Sequence, residues 1–376
     1  MSSILDSSPS SASVPSRAPA LRAGTIVMAD DGVPFDGDSP AAGPLGGAET
    51  AFVELAEALA RRGHRVLAFT RTSRRIERHG VLWQPLASGT PDTADLYIAN
   101  RGHRLLDLVP RAERLAFWLH NPAGYVLKRR YLWRLWRRRP VVVTLGAFHA
   151  GTLPRWVPSG GRVQIHNGYS PVFATLPERE TAPPPRAIFT SNPLRRLDWV
   201  LDRWAEGIRS GVPGAELHVF SSLATYGAAD PAKQRLAQPI LDKARALAPA
   251  GVVLRTPVTK AALAAEMAGA RLFLYGGDPG ETFCLAAAES QAAGVPGVVC
   301  RSTCLAERIR DGETGFVVGD GDTAGFVARA VSLLTEDTLW LAQHRAAQAK
   351  QRALTWDRAA EMWEALCRSP EEGRLA

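Results

Sequence analysis

Two α/β domains, each built on a mainly parallel sheet, are predicted by three features of the sequence. The chain has 376 residues, 46% of them hydrophobic, which is too much for one ordinary core. Short, nearly continuous apolar runs alternate with stretches of three- and four-residue apolar spacing, the pattern of strands covered on both faces by helices. A proline-rich break at 165–185 separates two such series and suits an interdomain linker.

The expected division is a tail at 1–22, a Rossmann-like domain at 23–168, a linker at 169–185, a second domain at 186–352 and a terminal helical segment at 353–376. Residues 1–22 are rich in Ser, Pro and Ala and lack an apolar stretch long enough for a signal peptide, so they read as disordered. No run of about 18 apolar residues occurs, which removes a bilayer-spanning helix. The expected location is the cytoplasm.

In order, 24–29 read as a first strand, followed by a loop to Gly46. Gly46-Gly47-Ala48-Glu49 opens a helix running to Arg62, with Phe52, Leu55, Ala56 and Leu59 on its buried face. Gly63 ends it and 66–69 form the second strand, completing a strand-loop-helix-strand unit of Rossmann type. No GxGxxG accompanies it, so a dinucleotide-binding dehydrogenase loses its main support. Further strands are expected at 96–99, 115–119, 141–145 and 163–165. His120-Asn121 follows one of them, at the carboxyl end where open α/β sheets bind ligands.

The net charge is +8, yet 128–139 hold seven basic residues and no acid, and removing them leaves 8 − 7 = +1. The basicity is one local patch, which argues against a nucleic-acid-coating protein and for no nucleic-acid partner. On a helix over 125–139, Tyr131, Leu132, Trp133, Leu135 and Trp136 cover one side, and Arg130, Arg134, Arg137 and Arg138 the other. Two readings are open: docking on an anionic membrane surface with the aromatics at headgroup level, or an apolar side packed on the sheet beneath a solvated basic face.

In the second half, 186–190 start a new sheet, and Ser191-Asn-Pro-Leu-Arg195-Arg196 leads into a helix to about Arg209. An arginine just past a strand offers a planar fork to phosphate oxygens. Strands are expected at 216–220 and 251–254, a loop at 223–230, and a helix at 259–268 capped by Thr259. Residues 316–318 read as a strand, 323–334 and 339–352 as helices. Cys284, Cys300, Cys304 and Cys367 show no CxxC pairing and read as free thiols rather than zinc ligands.

The chain is organised around YGGDPGETFCLAAAESQAAGVPGVV at 275–299. Residues 271–275 read as a buried strand, Gly276 to Gly280 as a loop, and Glu281 to Ala293 as a helix stopped by Gly294. Strand, glycine-rich loop and helix start together make an anion site from the N–H groups of 280–284. On such a helix Glu281 and Glu289 stand about 12 Å apart along the axis, matching the span from the sugar to the ribose of a nucleotide sugar.

Glu281, seven residues and Glu289 within GETFCLAAAESQAAGVP resemble the donor-site signature of retaining GT-B glycosyltransferases, closest to glycosyltransferase family 4 (glycosyl transferases group 1). The resemblance implies two Rossmann-like domains facing a central cleft. It also implies that the helix striped by Trp356, Ala359, Ala360, Trp363 and Leu366 crosses back to the N-terminal, acceptor-side domain. Domain 186–352 is then the nucleotide-sugar-binding one.

By the same resemblance, Glu281 lies beside the donor sugar, Glu289 binds the ribose hydroxyls, and the backbone of Gly280, Thr282, Phe283 and Cys284 faces sugar and phosphate. Arg195 grips the diphosphate and His120 bonds the sugar hydroxyls. Gly46-Gly47 lets the backbone approach the donor phosphate or the acceptor. Arg196 stands where the family usually has glycine, leaving open which arginine reaches the phosphates. Relatives read the base through the backbone near 255–258, so UDP- and GDP-sugars both stay open.

The implied activity is transfer of a sugar, with retention and without metal or other cofactor, to a glycan or lipid-linked glycan in envelope polysaccharide or lipopolysaccharide synthesis. Two other classes share such a cleft. One is a GT-B epimerase, hydrolase or phosphorylase. The other is a non-catalytic sugar-nucleotide-binding protein, which the departure at Arg196 favours.

Overall fold

The computed structural model describes residues 23–222 and 231–367. The expected tail at 1–22, the expected loop at 223–230 and the end of the terminal segment, 368–376, lie outside them. Strands β1 (Thr25–Asp30), β2 (Arg65–Thr70), β3 (Ile76–Arg78), β4 (Val81–Pro85), β5 (Thr93–Asn100), β6 (Arg111–Trp118), β7 (Val141–Thr144) and β8 (Gly161–Gln164) form one sheet. Its order is β3-β4-β2-β1-β5-β6-β7-β8, parallel except for the β3–β4 pair. That edge pair has no counterpart among the expected strands: β3 ends in Glu77-Arg78 and carries no apolar run, and β4 has only the short Val81-Leu82-Trp83.

A second sheet comprises β9 (Arg186–Phe189), β10 (Glu216–Phe220), β11 (Val252–Arg255), β12 (Leu272–Tyr275), β13 (Gly297–Cys300) and β14 (Gly315–Val318). Every pair is parallel and the order is β11-β10-β9-β12-β13-β14. Chain direction across the sheet therefore reverses between β9 and β12, the switch point where ligands of open α/β sheets bind. All four residues of β12 are buried, as a strand covered by helices on both faces requires.

The main helices are α1 (Gly47–Arg61), α2 (Arg129–Arg138), α3 (Leu197–Arg203), α4 (Pro231–Ala246), α5 (Lys260–Ala268), α6 (Leu285–Ala292), α7 (Thr323–Thr335), α8 (Asp337–Gln351) and α9 (Trp356–Glu364). In α1 the expected face, Phe52, Leu55, Ala56 and Leu59, is buried. The Thr259 hydroxyl accepts from the N–H of Ala262 and caps α5. Helix α9 returns to the first sheet. It buries Trp356 and Trp363, sets Trp363 edge-on to Trp118 at 5.3 Å, and places Glu364 under Arg62, whose two donors lie 2.5 and 2.8 Å away.

Two expectations need correction. Helix α6 starts at Leu285, not at Glu281. The Asp278 carboxylate takes the N–H of Gly280 at 2.6 Å, the Glu281 carboxylate takes that of Cys284 at 3.2 Å, and Cys284 is left-handed (φ 63°). These local bonds hold 278–284 in a loop, so Glu281 and Glu289 are not two positions on one helix.

On α2, Tyr131 and Leu135 are buried, but Trp133 and Trp136 are 59% and 58% exposed and stack on each other at 5.3 Å. The expected free basic face is partly spent. Arg134 and Arg137 hold Asp107, and Arg138 donates to the carbonyls of Leu106, Val109 and Pro110. Among the described residues no helix is long and apolar enough to cross a membrane.

Candidate active site

The carboxyl ends of β9 and β12 open into a cleft of about 1270 Å³ whose other wall is the start of α1 and the loops after β5 and β6. Arg195 reaches this cleft from the turn after β9, which Asn192 organises by accepting the N–H of Leu194 at 2.9 Å. Glu281 reaches it from the loop after β12. The two side chains form an ion pair, and the Tyr275 hydroxyl donates to the same Glu281 oxygen at 2.9 Å. Burial opposes the charge on Arg195, and Glu281 more than offsets it, so the guanidinium stays charged.

Glu289, on α6, sits at the other end of the same wall and is 2% exposed. A buried carboxylate needs a cation, and Lys260 at the start of α5 supplies it. The structure thus brings Arg195, Glu281 and Glu289 to one wall, with Thr282, Phe283, Cys284, Leu285 and Ala286 between the two acids. The amino end of α6 faces the cleft there and adds partial positive charge.

Other sequence-predicted residues fall out differently. Gly47 lines the cleft, where a Cβ on it would meet Leu285 at 3.5 Å, an ordinary contact that a small side chain could make. Gly46 is the residue that precedes α1, behind the lining, and the N–H of Gly280 is occupied by Asp278.

Arg196 does not reach the cleft. Its left-handed backbone (φ 57°) sends the guanidinium over the Trp199 ring at 4.8 Å and onto Asp320 at 2.8 Å. The family's usual glycine at this place suits that backbone. Of the two arginines, Arg195 is the one that lines the cleft.

His120 lies on the opposite wall. Burial, with Arg101 and His149 adding to it, pushes its imidazole well below the usual range, so the ring is neutral. Its Nε2 has no hydrogen-bond partner among the described residues. Its carbonyl accepts from the Thr282 hydroxyl at 2.6 Å, a bond that ties the two walls.

Beside it, Arg101 donates to Asp30 at 2.6 Å and to Glu49 at 2.9 Å, and Asn100 donates to Asp30 at 2.6 Å. This cluster and Lys260 are absent from the sequence-based assignment. The register signal for the first was present, since Asp30 ends β1 and Asn100 ends β5 beside it. Nothing in the sequence around Lys260 distinguishes it from any lysine at a helix start. Among the described residues no group of three or more His, Cys, Asp or Glu is placed to hold a metal ion.

A family model described as "Glycosyl transferases group 1" matches residues 185–336. No curated protein matches the chain in sequence. Solved structures match nearly end to end. Sucrose-phosphate synthase from Thermosynechococcus elongatus superposes with a TM-score of 0.67 at 18% identity, over 92% of this chain and 98% of that one. Anabaena Alr3699/HepE in complex with UDP-glucose gives 0.66 at 15%, over 91% and 99%. WaaG, a glycosyltransferase involved in lipopolysaccharide biosynthesis, gives 0.62 at 14%, over 90% and 99%. At these identities the likeness is one of fold. Residues 185–336 thus match the model of the glycosyl transferases group 1 family, in a chain whose two parallel-sheet halves make up the GT-B fold.

Proposed function

We propose that the protein transfers a sugar from a nucleotide diphosphate sugar, UDP- or GDP-linked, to a glycan or lipid-linked glycan, with retention of configuration. The observation that carries this reading is the single wall bearing Arg195 and Glu281 at one end and Glu289 at the other, with the amino end of α6 between them. A bound diphosphate takes Arg195 from Glu281, which frees that carboxylate for sugar hydroxyls. Glu289 accepts from the ribose hydroxyls.

As the glycosidic bond breaks, negative charge grows on the departing diphosphate. A fixed guanidinium and helix start stabilise it without reorganising, the term that usually dominates such catalysis. His120, neutral and lining the opposite wall, offers a hydrogen bond to the sugar. No metal enters this scheme.

The test is product analysis with UDP- and GDP-sugars, with and without acceptor glycans, reading the new linkage by NMR. An acceptor-dependent product with the donor's anomeric configuration supports the reading. Inverted product removes retention, free sugar formed without any acceptor marks a hydrolase, and an isomerised donor marks an epimerase.

The stacked Trp133–Trp136 pair supports a peripheral role at the inner face of an anionic membrane, where a lipid-linked acceptor of envelope polysaccharide or lipopolysaccharide type is presented. The pair is flanked by exposed Lys128, Arg129 and Arg130. Aromatic rings at headgroup depth and cations facing lipid phosphates suit that placement. Co-sedimentation with anionic vesicles that is lost in W133A/W136A and in R129E/R130E supports it. Binding indifferent to lipid charge and to both variants removes it.

A further inference from the structure

Beyond Glu289 the cleft continues into a second pocket, sharing Leu45, Thr50, Thr190, Ser191 and Lys260 with the first. Apolar side chains, Phe220, Pro257, Val258 and Leu263 from one domain and Pro44 and Leu45 from the other, share its wall with serine and threonine hydroxyls. Apart from Lys260, the ionisable side chain among the described residues lining it is Glu54, from the middle of α1. Nothing in the activity proposed above uses that carboxyl, which belongs to the acceptor-side domain yet faces the nucleotide-binding one.

We infer that Glu54 reads the base of the donor across the domain boundary, and that its partner is an imide edge, an N–H beside a carbonyl as in uracil. This rests on the nucleotide-sugar reading of the cleft. With the diphosphate at Arg195 and the ribose at Glu289, the adjoining cavity is the volume left for the base. The apolar side chains there suit the faces of a ring, which leaves its edge to the polar groups of the wall, Glu54 among them.

Which edge fits depends on the proton. A neutral carboxylic acid presents one donor and one acceptor, matching a carbonyl and the N–H next to it. A carboxylate presents two acceptors and matches the paired N–H groups of guanine instead.

The surroundings favour the neutral acid. Burial pushes Glu54 up to about 7, and Glu57 on its own helix and Glu289 on α6 add to the shift. The Ser170 hydroxyl and Lys260 on α5 work against it, and Lys260 is already committed to Glu289. A base entering the cavity excludes more water and penalises the charged form further.

The experiment is calorimetric titration of the full chain with UDP-glucose and GDP-mannose, neither of which has a phosphate ionising in the range used. It runs from about pH 6 to about pH 8.5, on wild type, E54Q and E54A. Glutamine keeps one donor and one acceptor without a proton to lose. The expected result is that wild-type affinity for UDP-glucose falls roughly tenfold across the range, while E54Q holds its affinity throughout and E54A is weaker than wild type at the low end.

The inference is overturned by a flat wild-type profile. It is equally overturned by an E54Q that folds, as judged by its melt, and yet loses UDP-glucose at both ends, or by GDP-mannose binding that dominates and strengthens as the pH rises. A wild type that binds neither sugar nucleotide overturns the nucleotide-sugar reading as well, which separates the two failures.

Discussion

The Tyr275 hydroxyl donates to Glu281 at 2.9 Å and accepts from Arg195 at 3.4 Å, so the last residue of β12 holds both partners of the cleft's central ion pair. A donor phosphate that removes Arg195 leaves the Tyr275 hydroxyl and the N–H of Cys284 to hold the Glu281 carboxylate. A hydrogen bond to a charged group contributes about 1.5–3 kcal/mol. Y275F is therefore expected to lower kcat about tenfold with little change in KM for the donor, and to lower the melt as the buried ion pair loses that bond. Steady-state kinetics with a saturating acceptor checks it.

The two adjacent arginines are expected to behave differently. R195A removes the cation that faces the leaving diphosphate and should cost about 10²–10³ in kcat/KM, together with weaker donor binding. R196A removes a surface contact with Asp320 and Trp199 and should stay within a few-fold of wild type. Equal losses in both variants would show that the diphosphate lies elsewhere.

That contrast marks where the sequence stops being legible. That Glu281, Glu289 and Arg195 come to one cleft was legible, because strand, glycine-rich loop and small-residue helix have separate composition signals and each residue follows or lies on one of them. The reading of 281–293 as one helix failed because the bonds from Asp278 and Glu281 to nearby N–H groups compete with helix formation, and no periodicity records them. Arg196 was ambiguous because a left-handed backbone at a non-glycine residue has no reliable sequence mark.

Helix α4 escaped the sequence reading because Pro239 lies inside it, a residue that ordinarily argues for a break. Trp133 and Trp136 fell on the exposed border of a helix whose buried stripe is narrower than its apolar one. The pairing of Lys260 with Glu289 spans 29 residues, a separation that only the folded sheet closes.

The Lys260 pair makes a coupling prediction. With Lys260 removed, the nearly buried Glu289 carboxylate is left without its cation. K260M is expected to lose roughly 2 kcal/mol, less than a fully buried pair because the Lys260 side chain is 31% exposed. E289Q alone strands the lysine, which water can reach, and should cost less. The double variant K260M/E289Q should recover part of the K260M loss, giving a non-additive cycle in denaturant melts. Strict additivity would mean that the pair is not coupled.

The return helix makes the last prediction, one about pH. Glu364 is buried, which by itself favours its neutral form, but donors from Arg62 and His64 more than offset this and hold its carboxyl below the ordinary glutamate value of 4.5. A depressed folded value means that the contribution is fully present above the unfolded value and is lost as pH falls through the folded one. Wild type should therefore lose stability on acidification below about pH 4.5 more steeply than E364Q, which has no carboxyl to protonate there. At neutral pH E364Q melts lower, because Arg62 loses its two short bonds to a buried carboxylate and keeps only Glu361 at 3.3 Å. W363A, by contrast, empties the space against Trp118 and should cost about 3–5 kcal/mol by an amount that does not change with pH. A pH slope shared by wild type and E364Q would remove Glu364 from the account of how α9 is held.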